Sequence, residues 1–234
     1  MTDHIPKGKV YVIIPAYNEE KSIAKVINDI PKNLVNEIIV GNNNSKDQTA
    51  KNARDAGATV VDAPEAGYGN ACLKGLEYVS TKANAEDIIV FMDGDYSDYP
   101  EEITKIIAPI QNNIADLVIG SRALGLKEKG AMTLPQEFGN WLATRLISLF
   151  YGVTFSDLGP FRAISWGDLQ KINMQDKTYG WTVEMQIKAV KLKMRCTEVP
   201  VNYRKRIGLS KVSGTVKGVI LAGYKIIGMI FKNL

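Results

Sequence analysis

The residues whose types and spacing could do chemistry begin with Asp93-Gly94-Asp95. Two carboxylates separated by a residue without a side chain can grip one hard divalent cation through oxygen. The same three residues could close a plain Asp-Gly turn after a strand. The run before them, residues 88–92, is short, apolar and bounded by polar residues, which predicts a fully buried strand. Three more polar clusters follow strand-like runs: Tyr17 to Glu19 after residues 9–15, Asn42 to Asn44 after 37–40, and Arg122 after 116–119.

Between those runs the pattern changes to helical spacing. Ile23, Val26, Ile27 and Ile30 recur at helical intervals and stop at Pro31, with Asn18 as the expected cap. Pro15 is expected to end the pairing of the first strand. Ser45 and Gln48 have capping-box spacing before a helix that ends at Gly57. Residues 59–62 read as a third strand, and Gly67-Tyr68-Gly69-Asn70 as a glycine turn into a helix over 71–81. Pro100-Glu101-Glu102 opens the next helix, with proline in its first turn and acids at the positive end of its dipole. The order β-α-β-α-β-α-β-α-β predicts an α/β chain, Rossmann-like, with a mostly parallel central sheet and helices on both faces. Such sheets bind ligands beyond the carboxyl ends of their strands. All four polar clusters fall there, which favours a nucleotide-type site.

The second half reads differently. Residues 124–135 form a Gly- and Lys-bearing loop. Residues 138–151 form a helix whose Trp141, Leu142, Leu146 and Leu149 make an apolar face, read as core packing. Residues 157–164 are a turn into a strand, 182–192 a helix containing Glu184, 195–203 an edge strand because of Pro200, and 204–211 a basic loop. In the tail, 216–231, a rotation of about 100° per residue puts Lys217, Lys225 and Lys232 in one narrow sector of an otherwise apolar helix. The run falls short of the ~20 residues that span a bilayer. It suits a helix in a membrane interface or against a membrane partner, and equally a core helix capping the sheet.

The 234 residues are 45% hydrophobic, enough for one large α/β domain and too apolar for global disorder. The net charge of +4 hides an asymmetry. From Gln186 to Leu234 there are eleven Lys and Arg against one acid, Glu198, which leaves −6 on residues 1–185. A basic end behind an acidic body suits a phosphate-rich or anionic-membrane partner, or simply a solvated basic surface. It lacks the interleaved aromatics of a single-strand nucleic-acid groove. Cys72 and Cys196 make no disulfide framework, which fits a reducing compartment, and the N-terminus carries no signal-peptide pattern. His4 is the single histidine, so neither a histidine base nor a histidine-rich zinc site is expected.

The ordered set Ile13-Ile14-Pro15-Ala16-Tyr17-Asn18-Glu19, Asp93-Gly94-Asp95, Gly120-Ser121-Arg122, Gly159-Pro160-Phe161-Arg162, Glu184-Met185, Glu198-Val199-Pro200 and Arg206-Ile207-Gly208-Leu209-Ser210-Lys211 resembles the family 2 glycosyltransferases of GT-A fold. Within them it is most similar to the dolichyl-phosphate mannose synthase group of polyprenyl-phosphate sugar transferases. The resemblance runs from Val12 to Lys211. It implies nucleotide contacts from Pro15, Ala16, Tyr17, Glu19, Asn42, Asn43, Gly69, Asp93 and Gly94. It implies Mg2+ or Mn2+ on Asp93 and Asp95 against the diphosphate of a nucleotide-sugar donor, with Ser97 as third ligand and Asp98 as its rival. Arg122, Arg162, Arg206 and Lys211 would meet phosphates, and Asp157 and Glu184, counted as catalytic with the two metal acids, would sit around the sugar. Many relatives carry two Asp where this chain has Asn42 and Asn43. An amide both accepts and donates, but the charge that favours a guanine or uracil edge is lost, which leaves UDP and GDP both open.

The implied reaction is metal-dependent, inverting transfer of a hexose from a nucleotide sugar of GDP-mannose or UDP-glucose type to a polyprenyl phosphate. A phosphate acceptor, whose second pKa is about 6, is already anionic and needs positioning more than a base. A hydroxyl acceptor would need one, and Asp157 or Glu184 would serve. Residues 1–211 would be the catalytic domain, with a nucleotide half to 122 and an acceptor half from 123. Residues 212–234 would form an amphipathic helix, placing the protein in the cytoplasm at the membrane periphery. The rivals are a soluble transferase acting on a protein, carbohydrate or small-molecule hydroxyl, and a non-catalytic nucleotide-binding protein.

Overall fold

A computed structural model describes residues 8–208 and 216–234, with the side chains of 216 and 217 left aside. The elements run β1 (Val10–Ala16), α1 (Ile23–Asp29), β2 (Glu37–Asn42), α2 (Thr49–Asp55), β3 (Thr59–Asp62), α3 (Tyr68–Ser80), β4 (Ile88–Phe91), α4 (Ile103–Gln111), β5 (Leu117–Ser121), α5 (Leu134–Tyr151), β6 (Arg162–Ser165), α6 (Trp166–Ile172), α7 (Trp181–Lys191), β7 (Cys196–Pro200) and α8 (Val216–Lys232). The expected alternation through β5 is present, and the strands form one seven-stranded sheet in the order β3-β2-β1-β4-β6-β5-β7.

Period-two alternation divides each strand between two cores. Tyr11 and Ile13 of β1 join Ile39, Ile89 and Phe91 under α3, α5, α6 and α7. Val10, Val12 and Ile14 join Val40, Ile88 and Val90 under α1, α2 and α4. Both faces are covered, which is why the strands read as unbroken apolar runs. Parallel pairing joins β1 to β2 and β4, β2 to β3, and β5 to β7. The departure is β6. It enters between β4 and β5, antiparallel to both, so its first residue Arg162 lies opposite Phe91 and Ile119 at their carboxyl ends.

Several local expectations are corrected. Pro15 does not end the first strand: it lies opposite Gly41 and Ala16 opposite Asn42. Asn18 does not cap α1. It adopts a left-handed φ of 53°, and Ser22 occupies the cap position instead. Ser45 and Gln48 form no capping box; the hydroxyl and N–H of Thr49 both donate to Asp47. α5 starts at Leu134, and it is Thr133 with Gln136 that makes a capping box. The apolar face of α5 is not core packing throughout. Ala143, Thr144 and Ile147 are its buried residues, whereas Trp141 is 53% and Leu149 73% exposed.

The tail helix answers to neither alternative alone. α8 packs one stripe, Ile226, Met229 and the fully buried Ile230, onto the same core as α5 and α7. Tyr151 donates its hydroxyl to the Ile230 carbonyl at 2.6 Å, and Phe150 meets Phe231 edge-on. The outward stripe leaves Ile220, Leu221 and Tyr224 in solvent. No helix among the described residues is long and apolar enough to cross a membrane.

Candidate active site

The strand tips converge as expected. Ala16 is buried at the end of β1, and the next residue, Tyr17, is 43% exposed, so an aromatic ring stands open beside the tips of β2 and β4. Glu19 is tied down by its backbone N–H to Thr49 Oγ1 at 2.7 Å and receives the Ser22 hydroxyl on Oε2. The two amides are fixed by partners that can only donate. Asn42 Oδ1 accepts from Ser45 N–H and Asn43 Oδ1 from Gly67 N–H. Asn42 Nδ2 then donates to Asp62 Oδ1 at 2.8 Å. Asp62, at the tip of β3, was not singled out by the sequence. It places a carboxylate beside the two amides. Gly69 serves close packing: a Cβ there would fall 2.0 Å from the Asp176 carbonyl oxygen. Gly94 lies against Ile14 and Ile23 under the turn.

The turn after β4 gathers acids. Asp95 is buried; its Oδ1 accepts from both the N–H and the hydroxyl of Ser97, and its Oδ2 lies 2.9 Å from Arg206 Nη1. Ser97, the expected third metal ligand, is thus engaged in orienting Asp95. Asp93 is half-buried, and Asp98, almost fully buried, accepts the Asp93 N–H on Oδ2. Asp93 Oδ1 and Asp98 Oδ1 are buried with no hydrogen-bond partner among the described residues. Burial first, then the Asp95 charge, raises the Asp93 pKa; burial, Asp93 and Asp95 raise that of Asp98. Arg206 and Arg122 pull the other way. The Tyr68 hydroxyl lies close enough to Asp93 to lower its pKa, without reaching full hydrogen-bond geometry with any of the described residues.

Bare carboxylate oxygens of this kind are costly unless a cation or water meets them, so the residues fit a hard divalent ion. Among the described residues no group of three or more His, Cys, Asp or Glu is set to hold one. Asp93 and Asp95 would therefore supply the protein's share of the ligands, and diphosphate oxygens and water the rest.

The cations are of two kinds. Arg122, at the tip of β5, is clamped by Asp157: its backbone N–H and Nε donate to Oδ2 at 2.7 and 2.8 Å, and Nη2 to Oδ1 at 2.7 Å. Its guanidinium lies 5.0 Å from the centre of the Tyr203 ring, and the main chain of Tyr203 forms an isolated antiparallel β-bridge with that of Asp98. Burial opposes both charges, but the pair overrides it: Arg122 is raised and Asp157 lowered. Arg206 is raised too: burial is the largest single cause and lowers it, but Asp95, Tyr203 and Asp93 together outweigh it. Arg162, in contrast, is fully buried and donates to the carbonyls of Leu158, Gly159 and Thr182. Burial lowers its pKa to about 10. It holds the turn into β6, with its donors committed to those main-chain carbonyls.

The two remaining acids are also engaged. Asp157 is 1% exposed and committed to Arg122. Glu184 accepts the N–H groups of Gln175 and Asp176 and pairs with Lys188 at 2.7 Å, which fixes the loop before α7. Neither stands free as a base. Lys211 lies outside the described residues. The sequence alone did not single out Tyr68, Asp62 or Tyr203. Tyr68 carried a signal, since it sits inside the Gly67–Gly69 turn at a strand-tip edge.

A mostly parallel sheet with one inserted antiparallel strand and helices on both faces is the arrangement of the GT-A glycosyltransferase fold. The chain belongs to the glycosyl transferase family 2, whose profile matches residues 11–186. It is 32% identical over 217 residues, 91% of this chain and 94% of the relative, to an uncharacterised glycosyltransferase of Mycobacterium tuberculosis. It is 33% identical over 215 residues, 82% of this chain and 84% of the relative, to the UDP-N-acetylglucosamine–dolichyl-phosphate N-acetylglucosaminyltransferase of Methanococcus voltae. Its fold is that of glucosyl-3-phosphoglycerate synthase from Mycobacterium tuberculosis in complex with Mn2+ and UDP-glucose, at a TM-score of 0.75 and 20% identity, covering 97% of this chain and 79% of that one.

Proposed function

We propose that this glycosyltransferase moves a hexose from a UDP- or GDP-sugar to a polyprenyl phosphate, with a divalent cation and with inversion at the anomeric carbon. The observation that carries the reading is the division of labour among the charged groups. Arg122 and Arg206 bear on the Asp93–Asp95 turn, while Asp157 and Glu184, the candidate bases, are engaged elsewhere. A site rich in positioned cations and without a free base among those two suits an acceptor that is already anionic. The name of the Methanococcus voltae relative, with its dolichyl-phosphate acceptor and UDP-sugar donor, supports the same choice.

In this reading Tyr17 and the Asn42–Asp62 pair meet the base, and Asp93 and Asp95 hold Mg2+ or Mn2+. The ion supplies charge for the departing diphosphate. Arg122, oriented by Asp157, and Arg206 neutralise phosphate oxygens, so that the acceptor oxygen can approach the face opposite the leaving group. A lipid acceptor requires work at a membrane surface. The exposed residues Leu134, Phe138, Trp141 and Leu149 of α5, and Ile220, Leu221 and Tyr224 of α8, give apolar surface for the interface. Lys225 and Lys232 are exposed on the same helix for anionic headgroups.

The test is a panel of UDP- and GDP-sugars with undecaprenyl or dolichyl phosphate and Mn2+. Transfer to the lipid phosphate is expected with one donor, and is expected to vanish in Asp95→Ala and in excess EDTA while the circular dichroism stays native. Transfer only to water-soluble hydroxyl acceptors, or undiminished turnover in Asp95→Ala, rejects the reading.

A further inference from the structure

The carboxylate that would hold the metal already holds a cation belonging to the chain itself. Arg206 Nη1 is 2.9 Å from Asp95 Oδ2, and after Asp95 and Tyr203 the Asp93 charge also bears on it. The other oxygen of Asp95 receives both Ser97 donors. A divalent ion cannot take Oδ2 while the guanidinium keeps it. Meanwhile Asp93 Oδ1 and Asp98 Oδ1 have no hydrogen-bond partner among the described residues, so a single guanidinium meets only part of what three neighbouring acids demand.

The main chain around Arg206 is fixed on both sides. Tyr203 bridges Asp98. Arg204 donates its backbone N–H to the Ser97 carbonyl and its guanidinium to the carbonyls of Tyr96 and Asp98. That guanidinium also stacks on Tyr96 and Tyr99, at 3.4 and 4.3 Å from the ring centres. Ile207 N–H donates to the Asp95 carbonyl at 2.9 Å. With the backbone held this firmly, the freedom left at this point is in the Arg206 side chain, which is 23% exposed and turns about single bonds.

We propose that Arg206 is a stand-in for the divalent cation. It neutralises Asp95 before the donor arrives, is displaced when the metal enters with its nucleotide, and is then at hand as a free guanidinium for a phosphate. This rests on the assignment of the metal to Asp93 and Asp95 given above. The consequence is a coupling. Bare metal must evict a guanidinium and leave it in the same small space as a dication. Metal arriving with a diphosphate brings the oxyanions that re-pair the guanidinium. The protein should therefore bind Mn2+ poorly alone and well with UDP or GDP.

The test reads Mn2+ binding directly, by the loss of the free-ion electron paramagnetic resonance signal, with and without UDP or GDP. The expected result for Arg206→Met is Mn2+ binding without nucleotide about tenfold tighter than in the unmodified protein, with the nucleotide's enhancement reduced or lost. Arg206→Lys, which keeps the charge, should stay near the unmodified affinity. An unchanged or weaker bare Mn2+ affinity in Arg206→Met overturns the proposal, as does the lack of Mn2+ binding by both proteins. The two readings fail separately. If Arg206→Met tightens bare Mn2+ and Asp95→Asn abolishes it, the stand-in role holds even where the donor panel yields no lipid product.

Discussion

Asp157→Asn separates a positioning acid from a working base. Asp157 takes three donors from Arg122, at 2.7, 2.8 and 2.7 Å, in a site where its side chain is 1% and that of Arg122 11% exposed. Asparagine keeps the shape but offers one acceptor oxygen, and its NH2 must face a guanidinium or backbone N–H. Removing one partner of a buried ion pair costs about 3–5 kcal/mol, because the other charge stays buried and uncompensated. Retention of one acceptor places this variant near the lower end, about 3 kcal/mol. For a chain of this length that corresponds to a melting temperature lower by roughly 6–12 °C. The assay is a calorimetric melt of Asp157→Asn, Arg122→Met and the double variant. The double variant should lose less than the sum of the singles, since neither charge is then stranded. A shift under about 2 °C in Asp157→Asn, combined with collapsed turnover, would refute the reasoning and restore Asp157 as a base.

Acid provides a second route to the same pair. The folded pKa of Asp157 is lowered, so its contribution is fully present above the unfolded carboxylate value of about 3.9 and is lost as pH falls towards the folded value. The stability gap between the unmodified protein and Asp157→Asn should therefore be level from pH 7 to about pH 5 and close below about pH 4 in urea titrations. Ile230→Ala should cost about 2–5 kcal/mol if α8 is docked through that fully buried side chain, and under about 1 kcal/mol in denaturant melts if it is not. Trp141→Ser with Leu149→Ser, at 53% and 73% exposure, should leave stability within about 0.5 kcal/mol per site while reducing flotation with anionic vesicles. Unchanged flotation would assign that face to a protein partner.

The first half of the chain was legible because its strands are buried on both faces and so announce themselves as apolar runs, each followed by the polar residues of one sheet edge. Pro15 was misjudged because a proline lacks only its own N–H donor: the backbone can still run on beside β2. The position of β6 was not legible. Residues 157–164 read as a turn into a strand, but nothing in them states that the strand enters between two others and runs against both. The α5 face shows a different limit. Helical periodicity says that Trp141 and Leu149 share a side; it does not say whether anything packs there. The charged residues were the hardest. Asp157, Glu184 and Arg162 have types and motif positions that suit catalysis, and the same types suit a buried clamp, a loop anchor and a carbonyl bracket. Only their partners distinguish these, and those partners lie 35 residues away for Arg122 and Asp157. Asp95 and Arg206, far apart in the chain, are brought together by the crossing of residues 203–207 over the turn.

The reversed strand β6 also acts as a gauge. It keeps the tip carrying Asp93 and the tip carrying Arg122 two ladder spacings apart, about 10 Å across the sheet. That width is set by main-chain hydrogen bonds, so exchanges among the side chains lining the cleft leave it unchanged. Loops on either bank could be remodelled for new donors or new acceptors while the gap between the two walls stays constant.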